Sequence, residues 1–260
     1  MGTRLTSRRT EPKGNSAAKL RNWAMMFLAV GIVGRSVLLH GFLGLESLSG
    51  DALMSVLDSD AAMVITGAAF FCCVVESCAV PLFAFLLIEG FLRTSGFGKY
   101  LVRVGAVALV SEVPYNFALT GRLWEMGSRN PAFAMFIALV MLHFWSRFSG
   151  KSLKNILMRV LIFAAAFLWC RMLAIDHGVC IVIFAAMLWF VREKSNFRAL
   201  FGFSAAMVCM MFDLFYIGAC LSCILLHRYN GERGEQDTKL NYAAYPVLLL
   251  LIGLLAKYLA

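Results

Sequence analysis

Carboxylate and imidazole groups interrupt the long apolar runs of this 260-residue sequence. Glu89 closes one run, Glu112 lies in the middle of another, and Asp176 with His177 precedes a third. An ionisable group inside a bilayer costs about 2.5–3.5 kcal/mol and marks a functional site by default. The sequence therefore predicts a site within the membrane. The ionisable residues within or beside the apolar runs are Arg35, His40, Glu76, Glu89, Glu112, His143, Asp176, His177, Asp213 and His227.

These residue types suit proton transfer. His177 is a candidate general base, because a histidine changes charge near neutral pH. Asp176 is adjacent to it, but neighbouring residues do not face each other on one helix, so each needs its own partner. Glu112 precedes a proline, which frees backbone carbonyls, and such breaks in membrane helices line cavities. Glu112 is therefore either a catalytic group or a structural partner of Arg35 or Arg103.

Helices must position these groups, because the composition is that of a membrane protein. The chain is 61% hydrophobic and 15% charged, whereas a soluble domain is about 45–50% apolar and about 25% charged. A bilayer crossing needs about 20 apolar residues whose backbone groups bond within one helix. We predict an all-α polytopic transmembrane bundle with about eight membrane helices, within a range of about seven to nine. The predicted spans are residues 22–44, 61–92, 100–119, 131–147, 153–173, 176–191, 199–227 and 242–259.

Two of the predicted spans are longer than one crossing needs. The second span is expected to bend at Pro81. The seventh is either one tilted helix or two short helices about Gly218. All eight cysteines lie within or beside apolar runs, where a thiol behaves as a small hydrophobe. Since the Cys220-Leu-Ser-Cys223 pair has no second pair, we predict no metal site.

Positive charge orients the predicted bundle. Residues 1–21 form a basic tail, predicted to be flexible and cytoplasmic, and residues 22–260 form a single transmembrane domain. Over the first six crossings, sixteen Lys and Arg residues fall on the side of the tail and three on the other side. In membrane proteins the cytoplasmic loops carry an excess of Lys and Arg. The side of the tail is therefore predicted to be cytoplasmic. The asymmetry accounts for most of the net charge of +9 and leaves no need for a nucleic-acid partner.

A set of short motifs occurs in order between residues 75 and 255. They are Pro81 to Phe91 (PLFAFLLIEGF) with Thr94 and Lys99-Tyr100, Ser111 to Asn116 (SEVPYN), Asn130 with Phe133, Asp176-His177-Gly178, Tyr229 to Gly234 (YNGERG), Lys239, and Tyr242 to Pro246. As a set they resemble the signature of the TraX family, membrane acetylases named from the N-acetylation of F-pilin in conjugation systems. The resemblance implies an integral-membrane fold and an acetyl-transfer reaction.

The resemblance also implies the substrates and the site. The acyl donor would be acetyl-CoA, and the acceptor an amine or hydroxyl of a pilin-like protein or an envelope component, at the bacterial cytoplasmic membrane. We expect His177, Glu112 and Asp176 to be catalytic. Basic residues suit the CoA phosphates, and asparagines would orient the reacting groups. The expected substrate-binding residues are Glu89, Asn130, Asn230, Arg93, Lys99 and Arg103.

The sequence departs from the family pattern at three places. Members usually carry an Asp-His pair in the first span, whereas Gly34-Arg35 lies about there in this chain. The family's Gly-Arg before the second motif reads Glu76-Ser77, and the family's Tyr-Pro-Leu-His reads Tyr245-Pro246-Val247-Leu248. Two expected histidines are therefore missing.

The missing histidines leave three functional hypotheses. In the first, His40, His143 or His177 supplies the base for acetyl transfer. In the second, the chain keeps the fold as a non-enzymatic membrane partner. In the third, it transports a small solute, with Glu89, Glu112 and Asp213 as proton or ion sites near the midplane.

Overall fold

The described residues form helices joined by short connections and contain no β-strand, which confirms the all-α prediction. The computed structural model describes residues 14–44, 59–125, 127–234 and 238–259. The predicted tail residues 1–13 and most of the loop before the second span lie outside them. The helices are α1 (Ala17–Val33, continued by a π-helix at Gly34–Phe42), α2 (Asp60–Ser77), α3 (Ala79–Arg93), α4 (Phe97–Thr120), α5 (Ala132–Arg147), α6 (Leu153–Met172), α7 (Gly178–Phe190), α8 (Arg198–Met210), α9 (Ala219–His227) and α10 (Thr238–Leu259).

Four helical stretches among the described residues are long and apolar enough to cross a membrane. They are Ala17–Phe42, Asp60–Arg93, Leu153–Met172 and Tyr242–Leu259. Shorter apolar helices occur at Ala132–Arg147, Gly178–Phe190 and Leu214–His227. The chain therefore has the character of a membrane protein, while the predicted number of about eight membrane helices is not confirmed.

Serine caps set where several helices begin. The side chains of Ser16, Ser59 and Ser152 accept hydrogen bonds from the backbone N–H groups of the first turns of α1, α2 and α6. Such caps satisfy amide groups that have no partner within the helix. Because Ser16 caps α1, the helix begins at Ala17, and the predicted tail boundary at residue 21 is corrected.

Aromatic contacts bring several helix ends together. Phe97 at the start of α4 stacks on His143 near the end of α5, with ring centroids 3.9 Å apart. Phe91 near the end of α3 meets Trp189 near the end of α7, with centroids 5.6 Å apart. We call this end of the bundle the basic end, because Arg93 and Arg198 also lie here.

The seventh predicted span is two helices, α8 and α9, rather than one tilted helix. The guanidinium of Arg198, where α8 begins, lies 5.5 Å from the ring of Tyr229, just after α9. The turn between the helices is stabilised by Asp213, whose carboxylate accepts from the N–H of Phe215 at 2.9 Å. α8 and α9 therefore form a hairpin whose two outer ends lie at the basic end. The turn between the two helices precedes Gly218.

The second predicted span breaks at Cys78, three residues before the expected bend at Pro81. Proline has no N–H, so the carbonyl four residues earlier, that of Ser77, has no intrahelical donor. Pro81 therefore causes the break, as expected. The break lies at Cys78 because the carbonyl of the preceding Ser77 lacks its helical hydrogen bond. It lies where α2 meets α1.

Glycines allow α1 and the π-helix to approach α2 closely. A Cβ atom at Gly31 would overlap the side chain of Glu76, and one at Gly34 would overlap Cys72. At Gly67, on α2 itself, a Cβ atom would meet nothing within 4 Å. The helices can therefore approach closely at Gly31 only because glycine has no side chain. Gly67 provides a matched control, because it makes no such close contact.

We predict opposite effects for the same substitution at these two glycines. Gly31→Ala should lower the free energy of unfolding by about 1–3 kcal/mol, because an overpacked contact forces the helices apart. Gly67→Ala should leave it unchanged or raise it by up to about 1 kcal/mol, because alanine favours helix. Thermal unfolding of both purified variants in the same detergent measures the difference. Equal effects would contradict the close approach.

Candidate functional site

An ion cluster with a tyrosine joins four separate segments inside the bundle. Arg35, in the π-helix, donates through Nη2 to Oε1 of Glu76 at 2.6 Å and through Nη1 to Oδ2 of Asp176 at 2.5 Å. The Tyr115 hydroxyl donates to the same Asp176 oxygen at 2.5 Å. Only 2% of the Glu76 side chain is exposed. The cluster thus links the π-helix, α2, α4 and the connection before α7.

Two connections meet beside this cluster. The N–H of Arg129 donates to the carbonyl of Ala174 at 3.0 Å, and the N–H of Asp176 donates to the carbonyl of Arg129 at 2.9 Å. Ala174 and His177 have positive φ values of 50° and 54°, which are uncommon for residues with a side chain. Irregular backbone at membrane depth is tolerated where protein covers it or where it lines a cavity. This local geometry carries Asp176 and His177 into the bundle.

His177 has its own partner, separate from those of Asp176. Its Nδ1 lies 2.8 Å from the hydroxyl of Tyr216. Its Nε2 lies 3.7 Å from Oε1 of Glu76 and 3.8 Å from Oδ2 of Asp176. Nε2 makes no hydrogen bond with any residue that the structure describes. The expectation that Asp176 and His177 need different partners is therefore confirmed.

The charges of the cluster balance when His177 is protonated. Glu76 and Asp176 are acidic, and Arg35 supplies one positive charge. An imidazolium at His177 supplies the second. Since buried charges need partners, the two carboxylates stabilise this form of His177. The site can therefore hold a proton at His177.

A cavity of about 830 Å³ reaches this cluster. Glu76, His177 and Tyr245 line one part of it, which we call the deep end. The part at the basic end, which we call the mouth, is lined by Arg21, Glu89, Arg93, Thr94, Arg103 and Arg233. The wall between is mainly apolar and includes Leu28, Val80, Phe83, Leu87, Val104, Met135 and Ile181.

The mouth contains a second polar network. Arg93 donates to Glu89 at 2.7 Å and to the carbonyl of Gly231 at 2.7 Å. The Tyr229 hydroxyl donates to Glu89 at 3.0 Å, and burial together with the Glu89 carboxylate raises the pKa of Tyr229 to about 12. This network ties α3 to the segment before α10. Arg103 makes no hydrogen bond or ion pair with the described part of the chain.

Glu112 and Asn130 form a structural unit away from the cavity wall. Oε2 of Glu112 accepts from the backbone N–H of Asn130 at 3.1 Å and from its side-chain amide at 2.9 Å. The same amide reaches the carbonyl of Ala108 at 2.7 Å, and the Glu112 carboxylate faces Arg129 at 3.7 Å. The predicted pairing of Glu112 with Arg35 or Arg103 is therefore wrong. Glu112 holds the connection that supports Asp176.

Of the three histidines that were candidate bases, only His177 lines the cavity. His143 stacks on Phe97 at the basic end. His40 lies at the other end of the bundle, where it faces Gly121. His40 and His143 therefore lie at opposite ends of the bundle, and neither lines the cavity.

The remaining predicted binding residues divide between the mouth and its surroundings. Glu89, Arg93 and Arg103 line the mouth, but Lys99 does not. Asn230 connects two backbone segments, because its N–H donates to the carbonyl of Asn15 at 3.0 Å and its side chain accepts from the N–H of Glu232 at 3.0 Å. Asn230 therefore shapes the mouth through backbone contacts.

Sequence reasoning did not find several residues of the site. Tyr115 and Tyr216 bond to Asp176 and His177, and Tyr245 lines the deep end. Tyr115 and Tyr245 lie within motifs of the family signature, but no feature of those motifs indicates a role for their hydroxyl groups. Tyr216 lies outside the motifs, in an apolar stretch. The sequence did indicate Glu76 and Arg35, because both are charged residues at positions where the chain departs from the family pattern that it resembles.

An apolar helical bundle with an ion cluster at the end of an internal cavity has the character of an integral-membrane protein. The chain belongs to the TraX family, since the sequence model of that family, described as TraX protein, matches residues 48–256. Membership supports a membrane protein associated with conjugation. No curated protein and no solved structure matches the chain.

Arg35 should be the most sensitive residue of the cluster. Arg35→Met leaves two carboxylates without their cation, which should lower the free energy of unfolding by about 3–5 kcal/mol. Adding Glu76→Gln should restore part of that loss, with a coupling of about 0.5–3 kcal/mol. Denaturant unfolding of the single and double variants in detergent measures both values.

An exposed ion pair provides the control for Arg35. Arg122 lies 3.3 Å from Glu125 and its side chain is 75% exposed, so Arg122→Met should change stability by less than about 0.5 kcal/mol. A similarly small effect of Arg35→Met would show that the cluster does not stabilise the fold.

Proposed function

We propose that this protein is a membrane acetyltransferase that moves an acetyl group from acetyl-CoA to an amine or hydroxyl acceptor. The observation that carries the proposal is the cavity that extends from an arginine-lined mouth to His177. Family membership supports the same reaction class. The acceptor would be a pilin-like protein or another component of the envelope.

The residues along the cavity fit the chemistry of the donor. Arginine suits phosphate oxygens through charge-assisted hydrogen bonds, and Arg103 has no competing partner among the described residues. The apolar wall suits an uncharged chain, and the volume of about 830 Å³ is within the range of about 300–1,000 Å³ for ligand pockets. Glu76 and Arg93 are separated by about 25 Å of helix at about 1.5 Å per residue. An extended donor would therefore place its phosphates and its acyl group at opposite ends of the cavity.

His177 would serve as the general base. In the reactive tautomer, Nδ1–H donates to the Tyr216 oxygen, and Nε2 is free to take the proton of the acceptor. Glu76 and Asp176 then stabilise the imidazolium that forms. Asp176 is a positioning residue in this scheme, because it is bonded to Arg35 and Tyr115. Glu112 positions the connection that carries it.

The proposed acyl donor also determines the orientation in the membrane that we propose for the protein. Acetyl-CoA would enter from the cytoplasm, which places the basic end and the start of α1 on the cytoplasmic side of the bacterial inner membrane. The excess of Lys and Arg at this end supports the same orientation. A nucleic-acid partner has no part in the proposal.

The transporter hypothesis receives no comparable support. Its three carboxylates do separate tasks, since Glu89 binds Arg93 at the mouth, Glu112 binds Asn130, and Asp213 caps a helical turn. In this hypothesis the three carboxylates would form proton or ion sites near the midplane, where the coupling-ion sites of secondary transporters lie. These three do not converge on one site.

We predict that Arg103→Gln weakens the binding of acetyl-CoA. Loss of one charge-assisted contact of about 1.5–3 kcal/mol should raise the Kd about 10- to 100-fold. Arg147→Gln is the matched control, because Arg147 lies at the same end and does not line the cavity. Equilibrium binding of labelled acetyl-CoA to the purified protein in detergent measures both. Absence of saturable binding to the wild type would overturn the proposal and favour the non-enzymatic partner.

We predict that His177→Asn removes the reaction and keeps the binding. Loss of a general base should lower acetyl transfer about 10²- to 10⁴-fold, while the Kd for acetyl-CoA changes by less than about threefold (below about 0.7 kcal/mol). The measurement is transfer of labelled acetyl to a cell-envelope fraction. The histidine control is His143→Asn, at the basic end and outside the cavity wall. Equal activity of His177→Asn and the wild type would exclude His177 as the base.

A further inference from the structure

Tyr245 differs from the other tyrosines of the site. The hydroxyls of Tyr115 and Tyr216 bond to Asp176 and His177, and the hydroxyl of Tyr229 bonds to Glu89. The Tyr245 hydroxyl is buried, and it has no hydrogen-bond partner in the described part of the chain. Buried tyrosine hydroxyls usually find a partner. An isolated donor of this kind needs an explanation.

Tyr245 lies where the explanation would be a ligand. It lines the deep end of the cavity with Glu76 and His177. The charged groups close enough to interact with its hydroxyl are Asp176, Arg35, Glu76 and Glu112. None of them accepts a hydrogen bond from it.

The backbone of α10 is also irregular at this point. Pro246 follows Tyr245 and lies inside the helix. Because proline lacks an N–H, the carbonyl of Tyr242 has no intrahelical donor. Both tyrosines line the cavity, so the irregular turn faces the space that a ligand would fill, as membrane helices require of irregular backbone.

We propose that the Tyr245 hydroxyl donates a hydrogen bond to the carbonyl oxygen of the acyl group that His177 helps to transfer. This inference rests on the proposed acetyltransferase function. In the reaction, the acceptor nitrogen or oxygen bonds to the acyl carbon, and the bond from that carbon to the thiol sulfur breaks. The acceptor proton passes to His177 and then to the departing sulfur. Negative charge develops on the carbonyl oxygen meanwhile, and a preorganised donor stabilises it.

The alternative is a purely structural role for Tyr245, and stability separates the two. A structural hydroxyl loses a bond when it is removed, whereas removal of an unpartnered hydroxyl is neutral or stabilising. Tyr245→Phe should therefore leave the Tm unchanged or raise it. Tyr115→Phe should lower the Tm, because its hydroxyl bonds to Asp176. A lower Tm for Tyr245→Phe would contradict the unpartnered hydroxyl.

Kinetics and spectroscopy test the donor directly. Tyr245→Phe should lower kcat about 10²- to 10³-fold, as for loss of one donor to a developing oxyanion, with the Kd for acetyl-CoA within about threefold of wild type. With ¹³C-carbonyl acetyl-CoA bound, the infrared carbonyl band should lie at lower frequency in the wild type than in Tyr245→Phe. Tyr258→Phe is the matched control on the same helix, since Tyr258 is 87% exposed. It should match the wild type in every measurement.

The outcomes separate this inference from the proposed function. If the wild type binds and transfers acetyl groups while Tyr245→Phe retains full kcat and the same carbonyl band, the role of Tyr245 is wrong and the acetyltransferase function stands. If the wild type neither binds acetyl-CoA nor transfers acetyl, the function itself fails, and the Tyr245 inference fails with it.

Discussion

The guanidinium of Arg35 is the point on which the interior of this protein depends. A positive charge in an apolar bundle is costly unless oppositely charged groups surround it. Two carboxylates do so here, at 2.6 and 2.5 Å, and they come from chain segments 41 and 141 residues away. The requirement for both partners explains two other features. Gly31 lets Glu76 approach α1, and the positive φ values at Ala174 and His177 turn Asp176 inward.

The requirement that Arg35 pair with both carboxylates also explains why two helices, α5 and α7, are short. α5 and α7 have 16 and 13 residues, about 24 and 20 Å at about 1.5 Å per residue, which is less than a bilayer core of about 30 Å. The connections before them fill the difference and meet through the hydrogen bonds of Arg129, Ala174 and Asp176. Glu112 and Asn130 satisfy the polar groups that such connections expose. The conspicuous carboxylate in the middle of α4 is therefore a support for the site rather than part of the cavity wall.

Most helices and the basic end were predictable, because apolar length and charge placement act locally along the chain. The ends of the helices were less so, since they depend on caps such as Ser16 and on the hydrogen bond that Pro81 removes from Ser77. The pairing of charges was not predictable from spacing, because it depends on contacts between distant segments. The structural alternative for Glu112 paired it with Arg35 or Arg103, whereas the carboxylate faces Arg129, which lies in a connection. Tyr245 lies within a motif of the family signature, but the role that we propose for it rests on a missing hydrogen bond, which only the structure shows.

Two of the three departures from the family pattern are in contact in the structure, and this contact gives them a physical explanation. In the pattern that the motifs of this chain resemble, an Asp-His pair lies about where the chain has Gly34-Arg35, and a Gly-Arg pair lies where it has Glu76-Ser77. Arg35 and Glu76 form an ion pair, so these two departures are in contact in this chain. Glu76 depends on this pairing, because without Arg35 the carboxylate would face only His177, at 3.7 Å. His177 itself lies within 3.8 Å of two carboxylates. The cavity therefore contains a group able to accept a proton, His177, although the first span carries no Asp-His pair.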